Sequence, residues 1–258
     1  MSHHSGYRER NSTADRAIDI LLSFSDSKLS WTAAEIAEEL GVARSTSYRY
    51  LQSLVSAGLL EEADRGFQLG PRVLDLARLA RIGIGLTDLA RPAMRELVAE
   101  AGASALLTRR SGSSVVCLDV IVPSHPIRLS YEPGHVLPLN AGAAAHVLLA
   151  WESPKIVRAL IEEAPLERFT PNTITDAEAL FRALQTIASD GYALSRGELD
   201  PEVLGIAAPI RGADGNVRAA VSIATLSSRV VREQEAPLID AVRRAAETIS
   251  ARLALHGS

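Results

Sequence analysis

Apolar residues near the start of the chain recur at intervals of three and four, the spacing that places side chains on one face of a helix. Two such stripes consist of Ala14, Ala17, Ile18, Leu21 and Leu22, and of Ala33, Ile36, Ala37 and Leu40. Each follows a capping-box pattern, Ser12 to Asp15 and Thr32 to Glu35, in which the first and fourth side chains satisfy free backbone N–H groups. Gly41 is expected to end the second helix. A third helix is predicted from about Ala43 to about Ala57.

The second and third helices, joined by a short turn at Gly41-Val42, fit a helix-turn-helix, although many helical hairpins share this spacing. The inner side of the third helix is predicted to consist of Ser47, Tyr50, Leu51, Leu54 and Val55. Its outer side carries cations, hydroxyls and an amide, from Arg44, Ser45, Tyr48, Arg49 and Gln52. No Asp or Glu occurs between Val42 and Gly58. The outer side is therefore basic.

This outer side has the residue types that read duplex DNA. Arg binds phosphate or the guanine edge, Gln can read adenine, and Ser or Tyr can anchor phosphates. For the helix alone, a basic face that is merely solvated has equal weight. The next residues favour DNA, because 59–62 and 67–70 are predicted strands around a turn at 63–66. A hairpin directly after a recognition helix is the wing of a winged helix-turn-helix.

A further helical segment follows Gly70-Pro71, from Arg72 to about Ile82. Its apolar residues lie on more than one side: Val73, Leu74, Leu76, Ala77, Leu79 and Ala80. A helix lying alone in water cannot support that pattern. The segment packs either on a partner chain or on its own domain, and the sequence pattern favours neither alternative.

The remainder of the chain alternates between helical and strand patterns. Helices are predicted near 86–100, 141–150, 154–162, 175–190 and 237–255, and strands near 104–108, 115–121, 127–129, 192–195, 204–210 and 217–225. The turn Ala213-Asp214-Gly215-Asn216 between two strands indicates antiparallel pairing. We therefore expect an α+β domain in which helices pack on an antiparallel sheet.

Composition fits two folded domains of ordinary size, with 258 residues, 47% of them hydrophobic and 22% charged. No apolar run is long enough to span a membrane, and the polar start lacks the apolar segment of a signal peptide. A cytoplasmic protein without a membrane partner is expected. The single cysteine, Cys117, excludes an internal disulfide framework, and its apolar neighbours predict a buried, inert thiol.

Net charge by itself does not suggest a nucleic-acid partner. The chain carries a formal charge of −4, and residues 1–70 contain seven Lys and Arg against ten Asp and Glu. A basic patch is the usual footprint of a DNA-binding domain. The DNA hypothesis therefore depends on where the charges lie, and the acids of this segment cluster outside the third helix, at Glu35, Glu38, Glu39 and 61–64.

Two alternatives remain open at this point: a metabolic enzyme with an accessory helical domain, and a sensor that acts through protein contacts alone. The larger segment has no nucleophile elbow, phosphate-binding loop or dinucleotide fingerprint. His125, His135 and His146 lack the spacing of a helical metal pair and are more readily surface or hydrogen-bonded histidines. We therefore expect no cofactor and no metal.

A helix with very little side-chain bulk is predicted to start at Asn140-Ala141-Gly142-Ala143-Ala144-Ala145. Asn140 is the expected N-cap, and the free N–H groups together with the helix dipole would attract a carboxylate. Close packing of a helix on a sheet also demands small residues. The residues alone give a ligand cavity and close packing equal weight.

Nine blocks together resemble the IclR-type family of bacterial transcription regulators. Four lie in the first seventy residues: 14–21, 34–37, 44–51 and 67–70. Five lie beyond them: 140–150, 170–175, 191–193 with Glu198, 205–210 and 219–224. The resemblance implies a tail at 1–11, a winged helix-turn-helix at 12–70, a linker helix at 71–84 and a GAF-like effector domain at 85–258. It favours a homodimer on a palindromic operator and leaves a tetramer open.

The resemblance also implies site residues. The residues expected to contact double-stranded DNA are Arg44, Ser45, Thr46, Tyr48, Arg49, Gln52 and Arg65. Those expected to bind an effector are Leu139, Asn140, Ala141, Gly142, Ser195, Gly205, Ser222 and Ala224. The effector class in such proteins is a small organic acid, and the small residues Gly205 and Ala224 suggest room for an aromatic one. We therefore predict a ligand-responsive regulator of genes for the catabolism of such an acid.

Overall fold

The computed structural model describes residues 13–124, 131–163 and 166–256. Backbone contacts divide the chain into two compact units, one that ends at Gly83 and one that begins at Ile84. The predicted tail, the proposed helix cap Ser12, His125 and the predicted strand at 127–129 lie outside the described residues.

The first unit has three helices, then a hairpin and a fourth helix. These are α1 (Thr13–Leu22), α2 (Ala33–Glu39), α3 (Arg44–Ser56), β1 (Leu60–Ala63), β2 (Gly66–Leu69) and α4 (Arg72–Ile84). One core cluster joins the helices to the hairpin, through Ile20, Trp31, Ile36, Leu51, Leu54, Leu60 and Phe67. The predicted winged helix-turn-helix is confirmed.

Local contacts fix the ends of α2 and its packing on α3. The Thr32 side chain accepts the Glu35 N–H at 3.2 Å, while the Glu35 carboxylate accepts the Thr32 N–H at 2.8 Å, which is the predicted capping box. Gly41 adopts a φ of +62° after the helix. Ser47 is fully buried and donates its hydroxyl to the Ala33 carbonyl oxygen at 2.9 Å, so a polar residue ties α3 to the start of α2.

The hairpin has an additional backbone partner. Trp31 exchanges two backbone hydrogen bonds with Phe67 of β2, at 3.0 and 2.8 Å. Gly66 has a φ of +128°, and a Cβ there would lie 2.4 Å from the Trp31 carbonyl oxygen. Only glycine fits so close an approach. The wing is thus anchored to the segment that precedes α2.

The second unit has five helices and six strands among the described residues. These are α5 (Leu86–Ala101), β3 (Ser104–Ser111), β4 (Ser114–Ile121), β5 (Val136–Leu137), α6 (Ala143–Ala150), α7 (Pro154–Glu163), α8 (Ala177–Asp190), β6 (Ala193–Arg196), β7 (Val203–Arg211), β8 (Val217–Leu226) and α9 (Glu235–His256). The strands form one sheet in the order β5-β4-β3-β8-β7-β6, with each neighbouring pair antiparallel.

Helices cover both faces of this sheet. The cluster around α5 and α9 lies on one face, and the cluster around α6 and α8 lies on the other. Successive side chains of a strand point to opposite faces. In β8, Val221 and Ile223 face α5 and α9, while Ala220 faces α6 and α8. Every residue from 219 to 225 is buried, because neither face of the sheet meets water there.

The predicted α+β class is confirmed, and the differences concern element ends. The helix α8 begins at Ala177 behind its N-cap Asp176, and α9 begins at Glu235, two residues before its predicted start. The prediction that Asn140 caps α6 is wrong, because the N-cap is Gly142 and it makes no side-chain cap bond. The strand β5 was not predicted, since two residues are too few to show a period.

Candidate nucleic-acid interface and ligand cavity

The outer side of α3 is open to solvent. Arg44, Ser45, Tyr48 and Arg49 are exposed, and Tyr48 keeps 50% of its surface accessible. We call these four residues the α3 face. Within the described parts of the chain, neither guanidinium makes an ion pair or a hydrogen bond to another residue. Both cations are therefore available to an external anion such as phosphate.

The remaining predicted DNA contacts differ in their surroundings. Arg65 is exposed at the tip of the hairpin between β1 and β2, and Thr46 is partly buried. Gln52 is already engaged, because its Nε2 donates to Glu62 Oε1 of β1 at 2.8 Å. Gln reads adenine through one amide N–H and its carbonyl oxygen, so the N–H that Gln52 gives to Glu62 is not available to a base.

A cavity in the second unit lies between the sheet and the start of α6, which gives it the name α6 cavity. Its floor follows from strand pairing. Ser195 pairs with Gly205, and Gly205 pairs with Ala224, so the three form one row across β6, β7 and β8. Ser222 faces the same side two residues before Ala224 and pairs with Leu106 of β3. Residues distant in sequence thus line one surface.

The opposite wall is the segment Ala141 to Ala145, which carries only methyl groups or hydrogen. Gly142 has a φ of +94°, a conformation that favours glycine. A Cβ on Gly205 would lie 3.5 Å from the Ala143 Cβ. The small residues therefore permit close helix–sheet packing and line a cavity at the same place.

The start of α6 already has a carboxylate supplied by the chain. The Gly142 N–H donates to Glu198 Oε2 at 2.9 Å, and His146 Nε2 lies 3.6 Å from the same oxygen. The Glu198 side chain is 12% exposed and that of His146 is 3% exposed. A negative charge at a helix N-terminus is favoured by the helix dipole. The sequence predicts that this helix start attracts a carboxylate, and in the structure the Glu198 carboxylate occupies that position.

Polar groups gather at the side of the cavity formed by Tyr131, Glu198 and Asp200. Burial, followed by the charges of Asp200 and Cys117, raises the pKa of the Tyr131 phenol. The phenol therefore stays protonated at neutral pH and can donate a hydrogen bond. Among the described residues that line the cavity, none is Lys or Arg. The polar side chains of the described lining are the hydroxyls of Tyr131, Ser195 and Ser222 and the carboxylates of Glu198 and Asp200.

Six of the eight predicted effector residues line this cavity: Ala141, Gly142, Ser195, Gly205, Ser222 and Ala224. The structure does not bring Leu139 and Asn140 to it, since both line a separate groove beside Leu149 and Val157. The Asn140 amide donates to the carbonyl oxygens of Glu167 and Ile174, at 2.8 and 3.1 Å. Asn140 thus holds the loop that leads to α8.

Several lining residues were not among the predicted ones: Leu106, Tyr131, Leu137, Glu198, Leu199, Asp200 and Val203. Glu198 belongs to a block that carries the family resemblance, and a second block positions it. Thr173 donates its hydroxyl to the Glu198 carbonyl oxygen at 2.6 Å, and Asn172 donates to that of Arg196 at 3.1 Å. The resemblance therefore contained a signal for Glu198. Tyr131, Leu199 and Asp200 lie in loops outside the matching blocks, where no periodic pattern predicts their position.

Cys117 lies beside the cavity and is inaccessible to solvent. It packs with Leu106, Val203 and Ala224, and burial raises the pKa of its thiol to about 12. The predicted buried thiol is confirmed. In the described parts of the chain, no three His, Cys, Asp or Glu side chains group as metal ligands. No helix there is long and apolar enough to cross a membrane.

A winged helix-turn-helix with a basic outer helix face, followed by a unit with an internal cavity, defines a DNA-binding transcription regulator. Residues 13–64 match the IclR helix-turn-helix domain, and residues 81–251 match the C-terminal domain of bacterial IclR transcriptional regulators. The chain therefore belongs to the IclR family. Its members are transcription regulators and not enzymes, so the enzyme alternative is wrong.

Individual relatives match this chain over nearly its whole length. The chain is 33% identical to the HTH-type transcriptional regulator BhcR of Paracoccus denitrificans, over 92% of this chain and 85% of that protein. A solved IclR regulator from Silicibacter sp. TM1040 superimposes with a TM-score of 0.85 and 28% identity, covering 94% and 96% of the two chains. An IclR homologue from Microbacterium hydrocarbonoxydans was solved with 4-hydroxybenzoate. It superimposes with a TM-score of 0.77 and 27% identity, covering 96% of this chain and 100% of that chain.

Proposed function

We propose that this regulator binds operator DNA through the α3 face and is controlled by a small organic or aromatic acid in the α6 cavity. It would govern genes for the catabolism of that acid. Its target is chromosomal DNA, so we also propose that it acts in the cytoplasm. The observation that carries the proposal is the open, acid-free α3 face on a helix-turn-helix.

The DNA part of the proposal assigns a role to each group. Arg44 and Arg49 contact phosphates or guanine edges in the major groove, and Ser45, Thr46 and Tyr48 fix the position of the helix on the backbone. Arg65 at the hairpin tip contacts the flanking phosphates. The single unit is weakly charged, so we propose a homodimer that places two α3 faces on a palindromic operator, with a tetramer as a pair of such dimers.

The effector part is supported by the lining of the cavity and by one relative. The floor offers the hydroxyls of Ser195 and Ser222, and the wall is apolar. A flat apolar ring with polar substituents suits such a lining. The relative from M. hydrocarbonoxydans was solved with 4-hydroxybenzoate, an aromatic acid. With no lysine or arginine among the described lining residues, the carboxylate would bind through hydroxyl groups such as those of Ser195 and Ser222.

Control of DNA binding requires the effector to prefer one arrangement of the protein. An effector shifts the operator equilibrium only by its difference in affinity between the two arrangements. We propose that α4 transmits the change between the cavity-containing unit and α3, altering the separation of two recognition helices in the dimer.

The first experiment replaces Arg49 with Gln and measures binding to DNA from upstream of its own gene and of the neighbouring genes, at physiological salt. A good contact to a base is worth about 1–3 kcal/mol, so affinity should fall about fivefold or more. The matched control is Arg95→Gln, which removes the same charge from an exposed position of α5. Equal affinities of Arg49→Gln and wild type would remove Arg49 from the interface.

The second experiment screens the organic acids handled by the neighbouring genes for a rise in the melting temperature of the protein. A compound that binds only the folded state raises this temperature. Each positive compound is then added to the DNA-binding assay. The proposal expects at least one acid to raise the melting temperature and also to change operator affinity. Stabilisation without any change in operator affinity would separate ligand binding from regulation.

A further inference from the structure

The second unit contains a concentration of positive charge away from the α6 cavity. One cleft of about 410 Å³ is lined by four arginines: Arg109 and Arg110 near the end of β3, Arg211 at the end of β7 and Arg218 near the start of β8. The cleft also contains Trp151, and Glu152 is the only acid among its described lining residues. We call it the arginine cleft.

Three of the four guanidinium groups are held in place by the chain. Arg110 donates to Glu152 Oε1 at 2.7 Å and to the Gly112 carbonyl oxygen at 3.0 Å. Arg211 lies 4.6 Å from the centre of the Trp151 ring and donates to the Gly215 carbonyl oxygen at 3.0 Å. Arg218 donates to Asp214 Oδ2 at 2.7 Å. Such fixed donors lose little freedom when a ligand binds.

The fourth cation, Arg109, has no acceptor among the described residues. Arg109 is exposed, and within the described residues it makes no ion pair or hydrogen bond. Four cations with Glu152 and Asp214 leave a net charge of +2, so the group is under-neutralised. Like charges repel one another unless an anion is placed among them. Guanidinium groups match the oxygens of phosphate and carboxylate groups in pairs.

We propose that the arginine cleft is a second ligand site, for a small molecule that carries two or more clustered anionic oxygens, as a phosphate or pyrophosphate group does. The site lies at the opposite end of the sheet strands from the α6 cavity. Residues 205, 222 and 224 of β7 and β8 line the cavity, while residues 211, 217 and 218 line the cleft. This ligand is therefore distinct from the effector, and the proposal does not depend on DNA binding.

The test is a calorimetric titration of the full-length protein with inorganic pyrophosphate at constant ionic strength, with succinate and sulfate as separate arms. Wild type should bind pyrophosphate saturably, with Kd of about 1 mM or lower. Arg109→Gln should weaken binding fivefold or more, and Arg109→Glu should abolish it. Arg243→Gln on α9 removes the same charge from another exposed position and should leave the affinity unchanged. The succinate arm shows whether clustered carboxylates also bind.

Several outcomes would overturn the proposal. These are an absence of saturable binding, an equal loss in Arg109→Gln and Arg243→Gln, or full affinity in Arg109→Gln. If pyrophosphate fails to bind and Arg109→Gln lowers operator affinity instead, the cleft is a DNA contact and not a small-molecule site. Melting temperatures of the variants check that they fold, because the Arg109 side chain makes no ion pair or hydrogen bond within the described residues.

Discussion

Gly205 lies in the floor of the α6 cavity, where an added side chain would enter the cavity. Its neighbours across the sheet are Ser195 and Ala224, and a Cβ on its backbone would point toward Ala143 on the facing helix, at 3.5 Å. The backbone at Gly205 needs no positive φ, so other residues can adopt it. The absence of a side chain there therefore creates space and does not serve a turn.

We expect Gly205→Val to occupy the cavity while the sheet stays folded. A valine fits a strand, and its two methyl groups fill space that a ligand would need. The acid that stabilises wild type should bind the variant at least tenfold more weakly in calorimetry, whereas operator binding without effector should persist. Gly205→Ala is the control, since its one methyl makes only ordinary contact. Undiminished effector affinity in Gly205→Val would place the ligand elsewhere.

Residue-level prediction from the sequence was uneven for a physical reason. Ser195, Gly205 and Ala224 could be predicted because they lie on strands, in or beside sequence blocks that resemble the family. The hydrogen-bond register of a strand fixes which residues lie next to each position. Asn140 suited a helix cap by residue type, but two carbonyl oxygens from a distant loop take its amide donors. Tyr131 and Asp200 reach the cavity through loops, whose course no periodic pattern reports.

The short helix α2 depends on its first turn. With seven residues it has little intrinsic stability, and the Thr32–Glu35 capping box satisfies its free N–H groups. The Lys28 ammonium also lies 2.9 Å from the Glu35 carboxylate. Hydrogen bonds from Thr32, followed by Lys28, lower the pKa of Glu35 from 4.5 to about 2.

This pKa gives a prediction for the variant Glu35→Gln. A carboxyl whose pKa is lower in the folded state stabilises the fold above its unfolded pKa of about 4.5 and loses that contribution as pH falls toward 2. Wild type should therefore melt at a higher temperature than Glu35→Gln at pH 6, and the gap should close near pH 2–3. Thermal unfolding followed by circular dichroism measures this. A gap that is independent of pH would show that charge is not responsible.

Elements were easier to predict than sites. The helices of the first unit follow from apolar spacing and capping residues, both local properties. The buried strands β7 and β8 could be found because each is a long apolar run. The helices α6 and α8 each begin two residues after their predicted starts. Asp176 caps α8 by accepting the Ala179 N–H, whereas Gly142 precedes α6 without a side-chain cap.

For the whole molecule, the proposed homodimer can be tested on the surface of α4. Leu74, Leu76 and Leu79 are 74%, 46% and 48% exposed in the single chain. We expect the double variant Leu76→Glu/Leu79→Glu to lower the dimer population and, with it, operator affinity. Sedimentation velocity gives the oligomeric state. The control is Arg78→Glu on the same helix, where an exposed charge changes sign. An unchanged dimer in the leucine variant would assign these leucines to another contact.

Residues at both ends of α6 contribute to ligand-sized spaces: Ala143 to Ala145 line the α6 cavity, and Leu148, Trp151 and Glu152 line the arginine cleft. The eight residues of α6 span only about 12 Å, so one short helix connects the two proposed sites. If both proposed ligands bind, thermodynamic reciprocity requires that the factor by which one changes the affinity of the other is the same in both directions.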